Sequence, residues 1–284
     1  MPKVNEDYPG NKPPTDAELK KLAAAQYQAE QKSETTSKFP TEMVELPSKG
    51  RFYPEGHPLS TGRIEMKYMT AKEEDILTNQ SYIKQGVVLD KLFKALIVTK
   101  INYNDLLLGD KNAIMVAARV LGYGKDYQIS VTNPSGEPQK VDVDLTQLGE
   151  KELDWDRFDK EDAFNFKLPY SKREVVVRLL THGLQKQIEA ELKGLKKLKK
   201  EPSELTTRYK YTITSVDGET DDATIRKFVD NDLLAIDSRA LRKFISSVTP
   251  DVDLHINCLS AETDEPFRSR LNIGLDFFWP DTEV

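Results

Sequence analysis

The chain has a single cysteine, Cys258, in 284 residues. One thiol cannot close an internal disulfide, so nothing implies an oxidising compartment. Apolar residues are also scarce, at 38% of the chain against roughly 45–50% in ordinary globular domains. No run of them approaches the roughly 20 residues that a membrane helix needs. The polar stretch from Met1 to Lys38 has no secretory core. Positive charge is in deficit, with 41 Lys and Arg against 47 Asp and Glu and a formal net charge of -6. That balance gives no general attraction to nucleic acid or to an anionic membrane. A protein made and used in a cytosol is expected.

Catalytic motifs are missing as well. There is no phosphate-binding loop, and Gly122 and Gly124 lack the third glycine and the preceding strand of a dinucleotide fingerprint. No Gly-x-Ser-x-Gly elbow occurs. His57, His182 and His255 lie far apart in sequence, and each reads as a polar surface or capping residue. His255 and Cys258 have metal-ligand spacing, but one such pair is half of a zinc site. A buried thiol on the inner face of a strand is the simpler reading. Asp154, Asp156 and Asp159 do not follow the spacing of a calcium loop. No catalytic residue, metal or cofactor is therefore expected, and a hydrolase has no motif in its favour.

What is present is pattern. Residues 1–38 read as a flexible N-terminal arm, punctuated by Pro2, Pro9, Pro13 and Pro14. Thr15-Asp-Ala-Glu18 has capping-box spacing, and the short helix it opens, with Leu19, Leu22 and Tyr27 as its apolar material, reads as a frayed tail or as a segment that docks on a partner. Residues 39–149 form an N-terminal α+β region. Ile64, Met66 and Tyr68 alternate as a strand does, and Thr70-Ala-Lys-Glu73 is a second capping box. Leu89, Leu92, Phe93 and Leu96 repeat at helical spacing, and Asp110 is placed to cap a helix carrying Ile114, Ala117, Ala118 and Leu121. Tyr127, Ile129 and Val131, then Asn133-Pro-Ser-Gly136, then Val141 and Val143 spell a hairpin.

Residues 150–284 form the C-terminal α+β region. An acidic connector holds Trp155 and Phe158, and strands follow at Phe164–Leu168 and from Val175. A helix runs from Thr181 to Lys200 with Leu184, Ile188 and Leu192 on one face. Tyr209, Tyr211 and Ile213 alternate as a strand, and Leu241, Phe244 and Ile245 predict a helix after Asp237. The closing hairpin sets Leu254, Ile256 and Cys258 opposite Leu271, Ile273, Leu275 and Phe277. The β pairs look local, so the fold class is α+β.

The helix end from Lys193 to Lys200 is the one strongly basic patch, and it supports a second functional reading, nucleic-acid binding. It has no aromatic residue for stacking, and cations at a helix C-terminus already complement its dipole. A stabilised helix end or an acidic protein partner fits it better.

Several short blocks recur in a recognisable order. Leu46-Pro-Ser-Lys-Gly-Arg-Phe-Tyr-Pro54 is followed by Met69-Thr-Ala-Lys-Glu-Glu-Asp-Ile-Leu77, Leu107-Leu-Gly-Asp-Lys-Asn-Ala-Ile114, and Arg119 to Tyr123-Gly124. Phe166-Lys-Leu-Pro169, Asp237-Ser238, Thr249-Pro-Asp251 and Phe277-Phe-Trp-Pro280 complete the set. In order and spacing the chain resembles the baseplate hub proteins of T-even-like myophages. The resemblance implies a late-expressed, non-enzymatic protein of hub assembly, either a hub component or an assembly chaperone. Its partners would be other tail or baseplate hub proteins, met in the host cytoplasm and in the tail baseplate of the virion. In that family two hairpin turns can carry Cys-x-x-Cys pairs in the manner of a zinc ribbon. This chain departs from the pattern: Val131 to Gly136 has no cysteine, and Ala261 stands where a partner of Cys258 would fall. Zinc-ribbon-like hairpins without bound metal are therefore expected. Arg51, Phe52, Tyr53, Phe278 and Trp279, with Leu19, Leu22 and Tyr27 of the arm, are the candidate partner contacts. For the aromatic residues core packing is the competing reading.

Overall fold

The computed structural model describes residues 39–160 and 163–278, and every element lies in one unit that begins at Thr41. The arm, with Leu19, Leu22 and Tyr27, falls outside the described residues, as does Trp279. The fold is α+β: helices interleaved with four small antiparallel sheets.

β1 (Thr41–Glu45) pairs with β2 (Arg63–Lys67), with Val44 opposite Ile64. Three helices follow: α1 (Ala71–Thr78), α2 (Gln80–Gln85) and α3 (Val88–Leu96). Glu73 reaches back at the start of α1 and accepts from the Thr70 amide at 3.0 Å, as capping-box spacing demands. α4 (Leu108–Tyr123) begins three residues earlier than a cap at Asp110 requires, because Leu107 holds the cap position. Asp110 is instead the third helical residue and points inward. β3 (Asp126–Thr132) and β4 (Pro138–Asp144) form the expected hairpin, with Ile129 opposite Val141.

Beyond the connector, β5 (Asn165–Lys167), β6 (Glu174–Val177) and β7 (Ile213–Val216) make a three-stranded sheet in the order 5-6-7. α5 (His182–Lys197) is capped by Thr181 and ends three residues short of Lys200. The alternation of Tyr209, Tyr211 and Ile213 is a strand only at its end. α6 (Glu204–Thr212) takes both tyrosines, because Tyr209 and Thr212, three apart, are buried together on one helical face. α7 (Asp222–Lys227) runs into a wide turn, and α8 (Ala235–Val248) starts before Asp237, which is its third residue. In the closing hairpin β8 (His255–Leu259) pairs with β9 (Pro266–Arg270), so Cys258 faces Phe267. Ile273, Leu275 and Phe277 lie beyond that pairing. The polar-looking Pro-Phe-Arg-Ser-Arg segment is the strand, since one side of a two-stranded ribbon stays in water.

Two hydrophobic cores result. The first gathers Leu46, Leu92, Phe93, Ile114 and Val143, and also Leu254, Ile256, Cys258, Phe277 and Phe278. The second gathers Leu168, Val175, Tyr209, Val216, Phe228, Leu241 and Phe244. Between Leu148 and Val252 the chain builds the second core, touching the first again at Leu179.

Candidate functional site

The Leu46–Pro54 segment is a double bend. Lys49 and Gly50 take positive φ values of 52° and 76° in succession. A Cβ on Gly50 would stand 2.3 Å from the Ser60 carbonyl oxygen, so only glycine fits there. The bend turns its polar groups inward. The Ser48 amide donates to Asp110 Oδ1 at 2.9 Å, and the Tyr53 hydroxyl donates to Asp110 Oδ2 at 2.6 Å. That hydroxyl in turn accepts from the Leu107 amide at 3.1 Å. Asp110 is fully buried. Burial pushes its carboxyl up from the ordinary range, an effect that the Tyr53 and Ser48 bonds offset only in part. Burial, with the neighbouring Asp110 charge, also pushes the Tyr53 phenol far up.

The outer side of the same bend meets the connector. Phe52 packs edge-on against Phe158 at 4.9 Å and Phe164 at 5.9 Å, and stacks with Trp155 at 6.4 Å. The Arg51 guanidinium lies 5.6 Å above the Trp155 ring and pairs with Asp159 at 3.3 Å. Phe158 and Phe164 pack on the second core. The bend thus fastens the first core to the second, through a buried carboxylate on one side and an aromatic cluster on the other.

The remaining blocks meet in pairs too. Gly109 sits so close to Thr249-Pro-Asp251 that a Cβ on it would lie 1.9 Å from the Pro250 oxygen. Asn112 donates to Asp251 Oδ1 at 2.9 Å. Arg119, 1% exposed, donates to the Phe277 carbonyl at 3.1 Å and to the Gly124 carbonyl at 3.1 Å. Its guanidinium lies over the rings of Tyr123 and Tyr127. In the second core, Asp237 repeats the role of Asp110: fully buried, third in its helix, accepting from the Tyr170 and Ser171 amides at 2.8 and 2.9 Å. Burial alone would raise this carboxyl, but the Ser171 and Tyr170 bonds outweigh it and hold it low.

Of the candidate contacts, Tyr53 and Phe278 are inside the first core. Phe52 is half-buried in the aromatic cluster, and Arg51 is exposed. His182 is not a surface residue: it is 3% exposed, with Nε2 facing Asp90 Oδ2 at 3.3 Å and its ring against Tyr103 at 4.5 Å. Asp90 also meets Lys111 and Lys186, both at 3.1 Å. Although burial opposes it, these partners hold the Asp90 carboxyl well below the usual carboxylate range. His57 stacks on Tyr53. His255 shares the Asp253 carboxylate with Arg268, on a surface away from the buried Cys258 thiol. Among the described residues no group of three or more His, Cys, Asp or Glu is arranged to hold a metal ion, and no helix is long and apolar enough to cross a membrane.

The two ribbon-like hairpins are joined without cysteine. Gln139 of β4 donates to the Leu259 carbonyl at 2.8 Å and accepts from the Ala261 amide at 3.0 Å, so one side-chain amide ties down the second turn. Asn133 closes the first turn by accepting from the Glu137 amide at 2.8 Å. Sequence reasoning took Asp110 for a helix cap, placed Asp237 only ahead of a helix, and missed Gln139. The first two have a faint signal, an acidic residue in the first turn of an apolar-faced helix.

A family model described as T4 bacteriophage base plate protein matches residues 39–278. No curated protein and no solved structure matches the chain.

Proposed function

The chain belongs to the T4 bacteriophage base plate protein family, and from that premise we propose that it acts without catalysis in assembly of the central baseplate hub, as a hub subunit or as its chaperone. The observation that carries this reading is how the blocks are used. Asp110, Arg119, Asp237, Gly50 and Gly109 are buried and spent on joining distant parts of the chain. Buried polar groups with their partners satisfied specify one rigid arrangement, which suits a part that others build on. The Arg51–Phe52–Trp155 cluster adds an aromatic patch at the surface, a composition favoured at interfaces. Other baseplate proteins are the partners this implies.

Sedimentation of infected-cell lysates tests the reading. The chain should travel with hub assemblies, and migration as a free protein throughout infection would overturn it. Mass spectrometry of purified virions then separates the two forms of the proposal. A subunit stays in the particle, whereas a chaperone is found only in the lysate.

A further inference from the structure

Arginine in this chain is only partly committed to ion pairs. Arg51, Arg63, Arg173, Arg226 and Arg268 each pair with a carboxylate. Arg178, Arg208 and Arg242 form no ion pair among the described residues, and all three line one cavity of about 390 Å³. It lies where the end of β6 and helices α6 and α8 approach the start of α4. Lys151 is a fourth cation on its wall, and among the described residues Asp251 is the one carboxylate there. Asp251 is already engaged by Asn112. Lys151 donates to the Ser246 and Thr249 carbonyls at the C-terminal end of α8, which fixes its position.

The cavity is not simply a charged surface. Leu108, Leu180, Leu205 and Ile245 also line it, and Leu205 is 40% exposed. Two of the guanidinium groups are already oriented: Arg178 Nε donates to the Tyr211 carbonyl at 2.7 Å, and Arg208 donates to Gln185 at 3.0 Å. Guanidinium groups fixed in this way lose little freedom on meeting a carboxylate, and their planar fork suits it. In a chain of formal net charge -6, a concave cluster of four cations over aliphatic residues is a local reversal of sign. Clefts of one sign focus the field on a ligand of the other.

We propose that this cavity, between α6, α8 and the start of α4, is the docking site for an acidic segment of another baseplate protein, one that sets an apolar side chain on Leu180 and Ile245 between carboxylates held by Arg178, Arg208 and Arg242. The inference rests on the baseplate reading and adds the chemistry of the partner. The aliphatic residues lining the cavity suit apolar side chains better than a nucleic-acid backbone, and the Lys193–Lys200 helix end lies outside it.

A photo-crosslinking residue at Leu205 in the full chain, expressed during infection, tests the assignment. The crosslinked peptide should come from another baseplate protein and contain at least two Asp or Glu within a few residues of an apolar anchor. Arg242→Glu should reduce that product at least tenfold, while Arg242→Lys, which keeps the charge, should retain most of it. Lys197→Glu on the basic helix end should leave it unchanged. A crosslink to nucleic acid, to a second copy of the chain or to a neutral or basic segment would overturn the proposal, as would no crosslink in assembled baseplates. If the chain never enters hub assemblies, the failure lies with the baseplate reading instead, and sedimentation of the same lysate reports it.

Discussion

Replacing Asp110 with alanine removes the acceptor that holds the Leu46–Pro54 bend to α4. Two donors lose their partner, the Ser48 amide and the Tyr53 hydroxyl. A hydrogen bond to an ionised group contributes roughly 1.5–3 kcal/mol, so two set a ceiling of about 6 kcal/mol. The carboxylate's own burial, seen in its raised pKa, offsets part of that. We expect Asp110→Ala to cost about 2–4 kcal/mol. Tyr53→Phe removes one of the same bonds and leaves the Leu107 amide unpartnered, at a cost of about 1.5–3 kcal/mol. Because the two changes share a bond, the double variant should cost about 1–3 kcal/mol less than the sum. Urea unfolding followed by tryptophan fluorescence reads the cycle, with Trp155 reporting from beside Phe52. Additivity within about 0.5 kcal/mol, or an Asp110→Ala cost below about 1 kcal/mol, would refute the junction.

The two buried aspartates should respond to pH with opposite signs. Asp237, held low, contributes stability above its unfolded pKa that is lost as pH falls through its folded pKa, so the margin of wild type over Asp237→Asn should shrink on acidification. Asp110, pushed up, costs stability once ionised, so the margin over Asp110→Asn should grow as pH falls through its folded pKa; parallel denaturation series at several pH values check both. Gly109→Ala should destabilise by at least about 2 kcal/mol through the clash at Pro250. Gly194→Ala, in α5 with open space around it, should stabilise by about 0.5–1 kcal/mol in the same assay.

Local chemistry was legible where it acts through neighbours in sequence. Pro47, Gly50 and Pro54 announce a bend, and Lys49 and Gly50 make it. The capping box at Thr70 and the turn at Asn133–Gly136 also act within a few residues. Period alone misled at Tyr209 and Tyr211, because a spacing of two residues says nothing against a helix that buries the first tyrosine and not the second. The pairing of blocks was not legible. Ser48 and Asp110 are 62 residues apart, and Arg119 and Phe277 are 158 apart. A capping aspartate and an inward-facing acceptor look alike in sequence; which one forms depends on where the helix begins, and that is settled by what packs beneath it. The return of the closing hairpin to the first core was hidden for the same reason. Gln139 has the composition of an exposed strand residue, and only the second hairpin beside it gives its amide a task.

Deletion of the gene is the most direct test of a role in hub assembly. Electron microscopy of lysates from cells infected with the deleted phage should show tail parts without completed baseplates, and particle titre should collapse. Restoring the wild-type chain should recover both, whereas Asp110→Ala should recover them only at low temperature. Complete baseplates and infectious particles in the absence of the chain would contradict the account.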